Sequence, residues 1–226
     1  VVTFRYCKET RQGKIRMAET KDTSLLHMLY EYKELIPKVL KDKEVMKVLA
    51  VSVILYITNM VSTNFFSLYV TQWLGIESRY LAFFPILNAA VMLIFMIGIQ
   101  HKLELVKFRI PMWVGLALYA IAVILLILAP VGNMLFVIIY VFIVAVAGAL
   151  VMPRKDTLIQ LSINAEERAR INALIMSFTI AFSSPFGYFA GWLSSIDRRL
   201  PFVFAFALFL AAFIIVGRIR DPEFSK

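Results

Sequence analysis

The residues of this chain that could do chemistry at membrane depth are uncharged. Ser52, Tyr56, Asn59, Thr63 and Phe66 recur at helical spacing and share one stripe. Asn64, Ser67 and Thr71 form a neighbouring stripe. Such side chains can hydrogen-bond a solute, stack against it, or tie one helix to another. Asn59 and Asn64 are costly to leave in lipid, so each is expected to face protein or water. Asn88, Tyr140, Ser177 and Ser184 are further cavity candidates from other apolar runs. Ser177, Thr179, Ser183 and Ser184 also sit beside Pro185, where a helix bend is expected and hydroxyls can satisfy freed carbonyls.

Other chemistries lack their parts. No catalytic residue is expected. An intramembrane serine protease needs a His or Lys at membrane depth, but His27 lies in a polar tail and His101 at a loop boundary. The His-Glu-x-x-His run of a metalloprotease and the phosphate-binding loop of an ATP-driven exporter are both absent. A single cysteine, Cys7, leaves no disulfide framework and no multi-cysteine zinc site. The expectation is no metal, no cofactor and no enzyme.

The elements that must position the candidates follow from composition. Of 226 residues, 61% are hydrophobic and 17% charged, where soluble domains carry about half and about a quarter. Six stretches long enough to cross a bilayer contain no Asp, Glu, Lys, Arg or His: 48–73, 80–100, 110–129, 134–152, 171–193 and 200–217. Pro130-Val131-Gly132-Asn133 splits one long run with a tight turn. Backbone groups in lipid must bond within their own segment, so these are helices, and the fold class is an all-α polytopic membrane protein. Trp73, Tyr80 and Trp192 fall at one set of ends and Trp113 at the other, as interfacial anchors do. Gly187 and Gly191 form a small-xxx-small pair that predicts close helix contact.

Charge fixes the expected orientation. Of the 24 Lys and Arg, 21 lie in segments 1–47, 101–109, 153–170 and 218–226; Arg79, Arg198 and Arg199 lie on the other side. The positive-inside rule makes both termini cytoplasmic in a multi-pass cell-membrane protein, with 218–226 a short cytoplasmic tail. The net charge of +9 then reads as topology and contact with anionic lipid, not as a nucleic-acid surface. Residues 1–47 are a basic cytoplasmic linker. Within it Leu25, Met28, Leu29, Tyr32, Leu35, Ile36, Val39 and Leu40 mark an amphipathic helix that Pro37 divides or kinks.

One region carries a family resemblance. Arg154 follows Met152-Pro153, and the segment closes on Glu167-Arg168-Ala169-Arg170-Ile171-Asn172-Ala173-Leu174. This resembles the cytoplasmic loop between the tenth and eleventh spans of bacterial major facilitator superfamily transporters. Gly187-Tyr188-Phe189-Ala190-Gly191-Trp192-Leu193, followed by Arg199-Leu200-Pro201-Phe202, is similar to that family's eleventh span and its exit into the twelfth. The stretch Gly98–Arg109 departs from the family's other loop signature. Lys102 stands where an Asp belongs and the second Gly is missing, so the motif's gating role is not carried over.

The resemblance implies the C-terminal half of a twelve-span carrier, built as two inverted three-helix repeats and preceded by the central loop. It also implies a secondary active transporter of a small solute working by alternating access. Its partners would be the bilayer, the solute, an N-terminal six-helix half and a coupling ion, proton or sodium. The lack of an initiator Met predicts that Val1 is not the natural start. With no charged residue in these spans, a proton-carrying group would belong to the other half, and efflux of an apolar or amphipathic compound fits best. The alternative is a non-transporting membrane scaffold or receptor derived from a transporter fold.

Overall fold

Uncharged runs of this length have one way to satisfy their backbone in lipid, and the structure takes it. The computed structural model describes residues 43–98, 109–161 and 168–219, with isolated positions 37, 41 and 106. The chain divides into two units, Val1–Lys41 and Asp42–Lys226. The expected amphipathic helix from Leu25 lies outside the described residues, as do Glu167 and the side chains of Arg168 and Arg170.

The second unit is built of helices joined by short turns, with no strand among its described residues. Its helices are α1 (Lys43–Leu68), α2 (Phe83–Gly98), α3 (Arg109–Ile127), α4 (Met134–Leu161), α5 (Arg168–Ile196) and α6 (Leu200–Gly217). A π-helical turn, Tyr69–Trp73, continues α1, and a 3₁₀ turn, Ser78–Tyr80, precedes α2. Six helical segments are long and apolar enough to cross a membrane. Their outward faces are apolar too. Ile97 is 76% exposed and Ile94 71%, and Phe142, Phe182 and Ile214 are exposed as well. In water so large an apolar surface would drive aggregation; hydrocarbon is its matching solvent.

The helices run alternately up and down between two ends. At one end, here termed proximal, α1 and α3 begin and α6 finishes. Lys47 Nζ donates to the Arg218 carbonyl at 2.7 Å, and Arg109 donates to the Ile219 carbonyl. At the distal end, Tyr69 Oη donates to the Leu126 carbonyl at 3.1 Å, and the Arg199 guanidinium lies 4.4 Å from the Trp73 ring centre. Around the bundle the helices neighbour one another in the order α2, α4, α3, α6, α1, α5, while α4 and α5 scarcely touch. That gap matters below.

Ring stacking registers the neighbours. Tyr119 lies flat on Phe209 at 4.9 Å and Trp113 on Phe213 at 5.4 Å, which aligns α3 with α6. Trp113 thus has a packing role besides the expected interfacial one. The turn at 130–133 is present. Gly132 takes a left-handed φ of +79° and donates its N–H to the Leu74 carbonyl at 2.7 Å. Asn133 Oδ1 then accepts from the Leu135 N–H at 3.1 Å, capping α4.

Two local expectations need correction. α4 does not stop at Met152 but continues to Leu161 through Pro153. Pro153 cannot bond the carbonyl four residues back, yet Arg154-Lys155-Asp156 have no reason to unwind once the helix leaves the apolar layer. Gly187 and Gly191 do not bring helices together. A Cβ at Gly191 would meet nothing within 4 Å, and at Gly187 only Met60 of α1, at an ordinary 3.7 Å. Close approach occurs instead at Gly115, between α3 and α4. α5 also continues through Pro185, where a bend is expected, as one helix. Ser183 Oγ donates to the Thr179 carbonyl at 2.6 Å, whereas Pro185 frees the carbonyl of Ala181.

Candidate functional site

Where α4 and α5 fail to meet, a cavity of about 520 Å³ opens at the proximal end between α1, α4 and α5. Each helix lines it with a two-turn stripe. α1 contributes Ser52, Leu55, Tyr56 and Asn59; α4 contributes Met152, Lys155, Asp156 and Ile159; α5 contributes Asn172, Ile175, Met176, Thr179 and Ile180. All three stripes follow the i, i+3, i+4, i+7 rule, so each helix presents one face over ~10 Å of its length. A smaller space of about 50 Å³ adjoins it, sharing Leu55, Asn59 and Met152 and reaching Thr58, Ser62, Tyr119, Val144 and Phe209.

The wall is largely apolar, with polar groups at fixed points. Its only charges among the described lining residues belong to adjacent Lys155 and Asp156, paired at 3.1 Å. Tyr56 and Asn59 are exposed to the space, while Ser52 and Thr179 are each 7% exposed. Neither the Ser52 nor the Thr179 hydroxyl has a hydrogen-bond partner among the described residues.

Further toward the distal end, aromatic rings pack together beyond the cavity lining. Phe66 stacks on Tyr140 at 5.5 Å and meets Phe84 edge-on at 5.6 Å, so rings from α1, α4 and α2 interlock. Phe66 lies seven residues beyond Asn59, or ~10 Å further along α1. Past these rings, Val70 and Leu74 are fully buried, Tyr69 packs on Phe202 at 5.0 Å, and Arg199 covers Trp73. The π-helical turn that carries Tyr69 and Trp73 holds one extra residue per turn, a local winding common at functional positions in helices.

The structure therefore divides the residues picked out from sequence. Ser52, Tyr56 and Asn59 come together in the cavity wall. Thr63 is exposed outside it, and Phe66 and Tyr140 belong to the aromatic cluster beyond it. Asn88 is half-buried on α2, away from the cavity. Ser177 and Ser184 are exposed on other faces of α5. Asn172, read from sequence as part of a loop motif, starts the α5 stripe, and Arg154 is buried at the proximal end of α4. Asp156, Met176 and the role of Thr179 were missed. The signal was available: counting seven residues on from Asn172 reaches Thr179. Among the described residues, no group of His, Cys, Asp or Glu is placed to hold a metal ion.

Comparison with family models, with curated proteins and with solved structures finds no match to this chain.

Proposed function

We propose that this chain is one six-helix half of a solute transporter of the major facilitator type, moving a small solute across the cell membrane by alternating access. The observation that carries the reading is the asymmetry of the bundle. A cavity of ligand size lies between α1, α4 and α5 at one end, and further along two of these helices, α1 and α4, interlock rings with α2. A carrier open to one side is expected to show that arrangement. The excess of Lys and Arg in the segments at the proximal end makes that end cytoplasmic, with both termini inside.

In this reading the helices form two inverted three-helix repeats, α1–α3 and α4–α6, and the cavity takes lining from both. It forms one wall of the pathway, and a second six-helix half supplies the other. That half would also carry the group that binds a coupling proton or sodium ion, since the six uncharged stretches hold no carboxylate or His and the cavity's own carboxylate, Asp156, is paired with Lys155.

The test is flux in proteoliposomes. The chain by itself is expected to give no solute flux, and the chain assembled with its companion half to give saturable counterflow. Flux by the chain alone would overturn its assignment as a half. Saturable binding without flux in the assembled pair would overturn transport and leave a receptor.

A further inference from the structure

Hydroxyls on membrane helices ordinarily look after themselves by donating to a carbonyl three or four residues back. This chain does so repeatedly. Thr58 donates to Leu55, Thr71 to Ser67, Thr157 to Pro153, Ser183 to Thr179 and Ser195 to Trp192, at 2.6–3.1 Å. Ser52 and Thr179 do not. Both are more than nine-tenths buried, both line the cavity, and neither hydroxyl has a partner among the described residues. A buried polar group without a partner is costly, and two of them on facing helices around one cavity form a recognition element.

The rest of the wall says what they recognise. A charged solute needs a counter-charge to offset its lost hydration. Among the described residues the lining offers only Lys155 and Asp156, paired at 3.1 Å, while Leu55, Met152, Ile159, Ile175 and Ile180 supply apolar surface. We infer that the cavity binds an uncharged amphipathic solute. Its apolar body lies against α4 and α5, and the Ser52 and Thr179 hydroxyls, buried as they stand, turn about χ1 to meet its hydrogen-bonding groups (carbonyl, hydroxyl, amide or sulfonamide). Either hydroxyl can donate or accept, so the class is set by neutrality and polarity and not by one functional group. The inference rests on the cavity being the solute site proposed above, and adds the class of solute and the residues that select it.

Three dansyl probes share one fluorophore and differ in charge: neutral dansylamide, anionic dansyl sulfonate and cationic dansylcholine. Each is titrated into the chain in nanodiscs, with empty nanodiscs as the baseline. Dansylamide is expected to bind saturably and at least tenfold more tightly than either ion. Ser52→Ala and Thr179→Val should each weaken it about fivefold, as loss of one hydrogen bond does, and Thr179→Ser should restore it. Retained helix content by circular dichroism separates a lost hydrogen bond from a lost fold. A charged probe that binds best, or dansylamide binding unmoved in the folded double variant, would overturn the solute class while leaving the cavity as a binding site. Absence of saturable binding by all three probes would overturn the cavity reading and the inference together.

Discussion

Asn59→Trp is expected to close the cavity and weaken binding of a neutral probe by about 3 kcal/mol, roughly 150-fold. The position is suited to this. Asn59 lines both the main cavity and the smaller space behind it, yet its side chain is exposed, so the indole can enter open volume without displacing core. Asn64 supplies the control. It is also an exposed asparagine on α1 but lines neither space, so Asn64→Trp should leave binding unchanged. Fluorescence titration of both variants in nanodiscs reads the difference directly. Equal effects at the two positions would mean that binding occurs elsewhere.

The second large effect concerns the scaffold. Gly115→Ala should destabilise the bundle by about 2 kcal/mol, through overpacking where α3 crosses α4. A Cβ there would sit 2.5 Å from Val151 Cγ2, 3.1 Å from Leu150 Cβ and 3.2 Å from the Ala147 carbonyl oxygen. The shortest of these contacts is to a side-chain methyl. Val151→Ala in the Gly115→Ala background should therefore recover more than half of the loss, although Val151→Ala alone leaves a small void and costs about 1 kcal/mol. A double-mutant cycle on unfolding midpoints in detergent checks this. Simple additivity of the two changes would show that α3 and α4 relax apart, and that Gly115 does not set their spacing.

The scaffold was far more legible in the sequence than the site. Six uncharged runs and a Pro-Val-Gly-Asn break mark helices through bulk hydropathy, which no tertiary contact can override in lipid. The end of α4 was hidden for the opposite reason. Charged residues from Arg154 onward look like loop by composition, but a helix emerging from the apolar layer keeps its hydrogen bonds in water as well. On α1 the polar stripe placed Ser52, Tyr56 and Asn59 on one face, the face that lines the cavity, because helical periodicity fixes azimuth. It says nothing of depth. Thr63 and Phe66 continue the stripe, but the cavity spans only two turns before Phe66 meets Tyr140.

On α5 the hydroxyls drew attention through their nearness to Pro185. Their register around the helix is what decides: Ser177 lies ~200° away from Thr179, on another face. The missing hydrogen bonds of Ser52 and Thr179 depend on which helices stand opposite, and no single-chain pattern encodes that. The glycine contact was misplaced for the same reason. Gly187 and Gly191 have the right spacing but no tight contact, whereas Gly115 and Gly148 carry no such pattern and lie against Val151 and Tyr119.

The central claim is that the space between α1, α4 and α5 is a solute pathway reached from the cytoplasmic end. Sided thiol labelling tests it most directly. In a Cys7→Ser background, Asn59→Cys is exposed to a membrane-impermeant maleimide from one side of oriented vesicles at a time. The account predicts rapid labelling from the cytoplasmic side, little from the outside, and slowing of the reaction by dansylamide. Labelling from the outside alone, or a rate that the solute leaves unchanged, would contradict it.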